Sequence, residues 1–144
     1  MRYQHKVDID SPVSRVFAFM DDVAREPEWQ PGIKAAYKEP PGDTAVGTEK
    51  RYVSEFMGRR IENTYVTKVF DRDQKVVYET TPDSVLRAKV ELTFTDTGSS
   101  TQVTMAVEGK AAGALKFIPK GILEAVFRKE LEGSLTLLKK VLEA

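Results

Sequence analysis

Tyrosines and a single histidine are the residues of this 144-residue chain whose chemistry suits a buried acid–base site. Tyr52, Tyr65 and Tyr78 fall in a strand-rich stretch, and a phenol in an apolar cleft can orient a ligand carbonyl or protonate it. His5 could act as a general base because imidazole titrates near neutral pH. Purely structural roles are open to all four. His5, Tyr65 and Tyr78 are therefore the candidate catalytic residues, and whether the chain is an enzyme stays open here.

Several other chemistries are excluded by what the sequence lacks. There is no cysteine, which removes disulfides, thiolate nucleophiles and zinc–sulfur sites, and one histidine cannot supply a two-histidine metal site. No glycine-rich phosphate loop or nucleophile motif is present. With 22 basic and 22 acidic residues the net charge is zero, so nothing attracts nucleic acid. We expect no metal, no cofactor and no nucleic-acid partner.

Carboxylates in the strand-rich region would be the usual source of paired acid–base catalysis. The alternation of apolar and polar residues predicts that all of them face outward, which argues against an evident hydrolase. These carboxylates are Glu49, Glu55, Glu62, Glu79 and Glu91.

The elements that must position these side chains follow from hydrophobic periodicity. Residues 2–9 alternate like a half-buried strand, and residues 13–20 have helical spacing after a capping Ser11. Pro27 and Pro31 allow only a brief helical turn around residues 26–30. About six strands follow up to residue 110, and residues 119–144 form one long amphipathic helix. The predicted class is α+β.

The first hairpin of the predicted meander has one uncharged face. We place Gly58 and Arg59 in a two-residue turn, which predicts the pairs Phe56–Ile61, Ser54–Asn63 and Tyr52–Tyr65. Charged side chains occupy the opposite face, so the uncharged face is the one expected to be buried.

A single helix laid across a strongly twisted sheet need not fill the space beneath it. The inward-facing set mixes apolar side chains with hydroxyl and amide groups, which indicates a cavity more than a dry core. Trp29, the only tryptophan, is expected to close one end of it. The predicted ligand-binding residues are Trp29, Tyr52, Ser54, Phe56, Asn63, Tyr65, Tyr78, Val90, Leu92, Met105, Phe127, Leu131 and Ser134.

The ordered set of segments "VDIDSPVSRVFAFMDDVAREPEW", "AVGTEKR", "GRRIENTYVTKVFDRDQKVVYET" and "LTLLKKVLE" resembles the START-like (SRPBCC) superfamily of polyketide cyclase/dehydrase, lipid-transport and Bet v 1-like proteins. The resemblance implies a single domain over residues 1–144 with a helix-grip fold. In that fold a curved antiparallel sheet of about seven strands wraps around the C-terminal helix, with one or two short helices after the first strand.

Functionally, the resemblance implies a pocket and not a particular reaction. We expect binding or transport of a small hydrophobic or amphipathic ligand such as a lipid, a polyketide or an aromatic metabolite. A cyclase- or dehydratase-like enzyme using pocket tyrosines and His5, and a co-chaperone-like protein-binding module, are the alternatives. No apolar run reaches the ~20 residues that span a bilayer, so no transmembrane segment and a cytoplasmic location are expected. A homodimer is compatible with the sequence.

Overall fold

The computed structural model describes the backbone of residues 1–144 and every side chain except that of residue 114. The elements in chain order are β1 (Arg2–Ile9), α1 (Val13–Asp21), a 3₁₀ turn (Val23–Arg25), α2 (Glu26–Trp29), β2 (Ile33–Glu39), β3 (Glu49–Phe56), β4 (Arg59–Asp71), β5 (Lys75–Thr80), β6 (Leu86–Asp96), β7 (Thr101–Ala111), a second 3₁₀ turn (Gly113–Phe117) and α3 (Lys120–Glu143). Within this described part, no helix combines the length and apolar character that crossing a membrane requires.

The seven strands form one antiparallel sheet in the order β1-β7-β6-β5-β4-β3-β2. Every second residue of β6 from Leu86 to Phe94 is buried, and Val103, Met105 and Val107 of β7 pack into the same core, which gives the sheet one apolar face. The 24-residue helix α3 packs against that face. The predicted α+β class and helix-grip fold, with two short helices after β1, are confirmed.

The two halves of α3 differ in what they contact. Leu135, Leu138 and Leu142 in the C-terminal half are buried in a cluster with α1 and the sheet. Burying a leucine side chain contributes roughly 2 kcal/mol, so this half anchors the helix. The N-terminal half instead borders a cavity, which includes Phe127 and Leu131 in its wall.

The β3–β4 turn differs from the prediction by two residues in register. Met57 and Gly58 form the turn with φ of 51° and 78°, because a type I′ hairpin turn needs positive φ at both central residues. The observed pairs are Phe56–Arg59, Ser54–Ile61 and Tyr52–Asn63. The predicted pairs were therefore wrong, but side chains repeat every two residues, so the residues predicted to point inward still do.

The start of α1 also differs from the prediction. Pro12 occupies the N-cap position, and no side chain caps the helix. The Ser11 hydroxyl instead accepts a hydrogen bond from Arg15 at 3.0 Å, and Ser11 is buried. The predicted capping role of Ser11 was wrong because this hydroxyl is used in tertiary packing.

Candidate functional site

A cavity of about 750 Å³ lies between the sheet and the N-terminal half of α3. Its wall contains all of the predicted ligand-binding residues: Trp29, Tyr52, Ser54, Phe56, Asn63, Tyr65, Tyr78, Val90, Leu92, Met105, Phe127, Leu131 and Ser134. Their contact with a ligand stays a prediction. Of the candidate catalytic residues, the cavity wall contains Tyr65 and Tyr78, whereas His5 is half-buried on β1 and is not part of it.

Glu26 is the most unusual residue in the cavity wall, because a carboxyl group that is only 2% exposed is rare in proteins. One of its oxygens accepts a hydrogen bond from the Tyr52 hydroxyl at 3.2 Å, and the other accepts one from the Gln30 side-chain amide. Burial raises the pKa of Glu26 to about 7, and the neighbouring Lys50, Gln30 and Tyr52 oppose this only in part. Glu26 can therefore gain or lose a proton near neutral pH.

The short helix α2 explains how the sequence buries this carboxyl. Glu26 and Trp29 are three residues apart, so one helical turn puts both on the same face. Pro27 fits the first turn of a helix, while Pro31 and Gly32 follow where the chain leaves it. The indole N–H of Trp29 is buried and has no hydrogen-bond partner among the described residues.

Lys50 lies behind Glu26, fully buried on β3 and outside the cavity wall. Its ammonium donates to the backbone oxygen and the carboxylate of Asp21 and to the Tyr78 hydroxyl, each at 3.0 Å. Burial disfavours the charged form, but Tyr78 and Asp21 more than compensate and hold the pKa of Lys50 above its usual value. Lys50 is thus a buried cation on β3 whose hydrogen bonds connect that strand to α1 and β5.

Three tyrosines surround the Glu26 carboxyl, and we call Glu26, Tyr52, Tyr65 and Tyr78 the polar wall. The rings of Tyr52 and Tyr65 lie 5.5 Å apart with a tilted geometry. Burial and the charge of Glu26 raise the pKa of Tyr65 to about 12, so its hydroxyl stays protonated. Burial likewise raises the pKa of Tyr52 and Tyr78, although Lys50 opposes it at Tyr78. The polar wall therefore offers neutral hydroxyls beside one titrating carboxyl.

Glu26 and Lys50 were missed by the sequence analysis, which described the inward face of the first hairpin as uncharged. That description is wrong at Lys50, which precedes Tyr52 by two residues and so points to the same face. Continuing the strand alternation two residues back from Tyr52 indicates that Lys50 also points inward. The i, i+3 spacing from Trp29 would have found Glu26.

None of the strand carboxylates is buried, although one of them, Glu55, lies at the border of the cavity. Glu49 and Glu62 are exposed, and Glu79 and Glu91 are half-buried. Glu55 is exposed, pairs with Lys34 at 3.5 Å and borders the cavity. The buried acid of this protein therefore comes from a loop-like helical turn and not from a strand.

Across the described side chains, no group of three or more metal-ligating residues comes together. The side chains present can hydrogen-bond to a polar group on a ligand, and Glu26 can transfer a proton.

The family comparison assigns the whole chain. The model of the family described as polyketide cyclase/dehydrase and lipid transport matches residues 1–143. No curated protein matches the sequence. The START-like resemblance inferred from the sequence is thereby confirmed.

Solved structures show the same fold at low sequence identity. A START superfamily protein from Mycobacterium smegmatis has a TM-score of 0.83 at 13% identity, covering 99% of this chain and 97% of its own. A protein from Thermus thermophilus has a TM-score of 0.81 at 14% identity, covering 97% and 95%. The Zhui aromatase/cyclase from Streptomyces sp. R1128 has a TM-score of 0.80 at 16% identity, covering 99% and 93%. At these identities the likeness shows the fold alone.

Proposed function

Because this chain belongs to the polyketide cyclase/dehydrase and lipid transport family, we propose that it binds a small, mainly apolar molecule in the cavity beneath α3. The proposal treats residues 1–144 as one domain that sequesters or carries this molecule. The observation that carries it is the cavity of about 750 Å³, which falls within the usual range of small-molecule sites. Apolar side chains such as Phe56, Leu92 and Met105 form much of the wall.

The binding energy is expected to come from apolar burial, at ~25 cal/mol for each Å² removed from water. The polar wall fixes which end of the ligand points toward α2. Trp29 adds a buried indole N–H without a partner among the described residues, which fits an acceptor atom on a ligand that has one.

Ligand retention tests this proposal directly. Native mass spectrometry of the purified protein, before and after organic extraction, is expected to detect a removable small molecule or, after extraction, binding of an added apolar probe. Trp29 is the only tryptophan, so its fluorescence should shift on probe binding and report on the cavity wall alone. A protein that retains nothing, binds no apolar probe and shows an indole fully quenched by acrylamide would refute the cavity as a binding site.

A second function, acid–base catalysis on a carbonyl compound, is favoured by Glu26. Its pKa of about 7 suits a general base at neutral pH, and the protonated Tyr65 hydroxyl lies in the same wall. In this function the Glu26 carboxylate takes a proton from the carbon beside a carbonyl, while Tyr65 hydrogen-bonds the carbonyl oxygen as charge develops there. The proton then returns to carbon or to a leaving hydroxyl.

Deuterium exchange distinguishes catalysis from simple binding. Incubating simple ketones with the protein in heavy water and following the α-protons by NMR should show exchange above buffer if Glu26 is a base. Glu26→Gln should lower that rate by ~10²–10⁴-fold, while Tyr65→Phe lowers it less. If the wild-type protein exchanges the α-protons no faster than buffer does, the catalytic function is rejected and the binding function is unaffected.

A further inference from the structure

The polar wall contains a negative charge that the protein itself leaves unpaired. A carboxylate can accept about four hydrogen bonds, and Glu26 accepts two, one at each oxygen. Both donors are neutral side chains. Among the described residues, no lysine or arginine lies within salt-bridge distance of Glu26.

Lys50 cannot supply the missing cation. Its three ammonium donors are all engaged, two by Asp21 and one by Tyr78, and it is outside the cavity wall. Together Lys50 and Asp21 are neutral, so the buried cluster has a net charge of minus one whenever Glu26 is ionised. An anionic ligand group would be repelled at this end of the cavity, and a cationic one would be attracted.

Charged groups from the other packed elements do not reverse this charge. Glu130 on α3 lines the cavity near Gly32 and adds a second carboxyl; the residue is exposed overall, and partial burial of the carboxyl raises its pKa. Of the cavity-lining cations, Arg2 pairs with Glu108, and Arg128 stacks on the Tyr3 ring, 5.4 Å from its centroid. The N-terminal ammonium of Met1 donates to the Gly109 carbonyl at 2.8 Å. Lys129 also borders the cavity but is exposed to solvent.

Aromatic rings occupy the same wall as the carboxyl. Tyr52 donates its hydroxyl to Glu26, Tyr65 lies 5.5 Å from Tyr52 between ring centroids, and Trp29 is on the same helical face as Glu26. Aromatic faces attract ammonium groups, most strongly where water is excluded. A carboxylate among aromatic rings is therefore suited to a protonated amine on an apolar body.

We propose that the cavity selects apolar amines, with the ligand ammonium paired to the Glu26 carboxylate among Tyr52, Tyr65 and Trp29 and its apolar part beneath α3. This inference rests on the proposed binding function. The ligand class is a primary or secondary amine with an aromatic or short alkyl body. Neutral alcohols of the same shape bind more weakly, and carboxylates are excluded.

The protonation of Glu26 sets the direction of the pH dependence. A simple alkylamine stays protonated from pH 6 to pH 8, as do Lys50 and the wall tyrosines, whose pKa values are raised. Glu26, with its pKa of about 7, is mostly ionised at pH 8 and mostly neutral at pH 6. Amine affinity should therefore fall about tenfold from pH 8 to pH 6, one decade for the change in ionised fraction. A neutral ligand should show no such loss.

Calorimetric titration with three matched probes tests the proposal: phenylbutylamine, phenylbutanol and phenylbutyrate. At pH 8 we expect the wild-type protein to bind the amine at least about tenfold more tightly than the alcohol, with the carboxylate weakest. Glu26→Gln should remove this preference and its pH dependence. Glu28→Gln, an exposed change on the same helix, should preserve both. Glu130→Gln should also preserve the pH dependence of amine affinity. That result would assign the pH dependence to Glu26.

The outcomes separate the two proposals. Binding of the alcohol with no preference for the amine, or a preference that survives in Glu26→Gln, rejects the amine site and keeps the apolar cavity. Failure of all three probes to bind rejects both. Circular dichroism checks that Glu26→Gln is folded. If it is not, the wild-type protein decides the question: amine affinity should fall about tenfold from pH 8 to pH 6 while alcohol affinity stays constant, and equal pH dependence of the two would reject the amine site.

Discussion

Glu26 makes the stability of the folded protein depend on pH. Its pKa is about 7 in the folded state against an ordinary value of 4.5, so the folded state holds a proton that the unfolded state has released. The stabilising contribution of the protonated form is complete below about pH 4.5 and is lost as pH rises through 7. The direction is opposite to that of a salt-bridged carboxylate.

The Glu26→Gln variant should therefore gain stability relative to wild type as pH rises. Between pH 5 and pH 8 this difference in pKa corresponds to roughly 2–3 kcal/mol in the free energy of unfolding, at ~1.4 kcal/mol per pKa unit. Urea denaturation at both pH values measures it. Glu28→Gln is the control and should show a change of a few tenths of a kcal/mol or less. If the difference in free energy of unfolding between Glu26→Gln and wild type were the same at both pH values, Glu26 would not be a buried ionisable group.

Lys50 should be required for stability even though it does not line the cavity. Replacing Lys50 with methionine keeps most of the packing but leaves the Asp21 carboxylate and the Tyr78 hydroxyl without their cation. Breaking a buried ion pair costs about 3–5 kcal/mol, and the partial exposure of Asp21 places this one near the lower limit.

The matched control for Lys50→Met is Lys34→Met, which removes an exposed pair with Glu55. That change should cost less than about 1 kcal/mol in the same urea denaturation. Equal losses for the two variants would show that the Lys50 cluster is not a stabilising centre.

At the level of single elements, the β3–β4 turn sets the hairpin register. Met57 has φ of 51° in a turn position that favours asparagine or glycine, so Met57→Asn should stabilise the fold by about 0.5–1 kcal/mol. Gly58→Ala should destabilise it by about 1 kcal/mol because the strain is in the backbone, and nothing lies within 4 Å of an added methyl group. Thermal unfolding of the two variants should shift in opposite directions, and shifts of the same sign would count against a type I′ turn.

Element order could be predicted from the sequence, since it depends on apolar periodicity that is local to each segment. The inward positions of Tyr52, Ser54 and Phe56 were also predictable, because they survive a register error of two residues. The pairing register of β3 and β4 was not predictable, because it depends on which two residues of the segment 56–59, "FMGR", adopt positive φ. The buried charges were missed for a different reason: Glu26 and Lys50 are stabilised by partners far away in the sequence, and local patterning assigns charged residues to the surface.

At the scale of the whole molecule, the two halves of α3 have different surroundings: one half packs in the core and the other borders the cavity. In its C-terminal half α3 packs leucines that are fully buried, and in its N-terminal half it borders the cavity with Phe127 and Leu131. Ser134, just past the midpoint of the helix, also lines the cavity. Stability and ligand affinity should therefore depend on different parts of the same helix.

Two alanine substitutions in α3 test this division. Leu135 is fully buried in the packed half, so Leu135→Ala should cost about 3 kcal/mol of unfolding free energy and leave affinity for phenylbutanol nearly unchanged. Phe127 is half-buried and stacks on Phe56 with 5.0 Å between ring centroids, so Phe127→Ala should cost only about 1 kcal/mol. It should nevertheless weaken phenylbutanol binding several-fold, because it removes apolar contact from the cavity wall.

Urea denaturation with and without phenylbutanol measures both properties in one experiment. At a ligand concentration of ~100 Kd, a folded protein with one site is stabilised by about 2.7 kcal/mol. At the same ligand concentration, wild type and Leu135→Ala should show this increment in full, measured from different starting stabilities. Phe127→Ala should start near wild type and show a smaller increment. If Leu135→Ala lost the ligand-induced increment while Phe127→Ala kept it, the packed half and not the cavity half of α3 would be the binding surface.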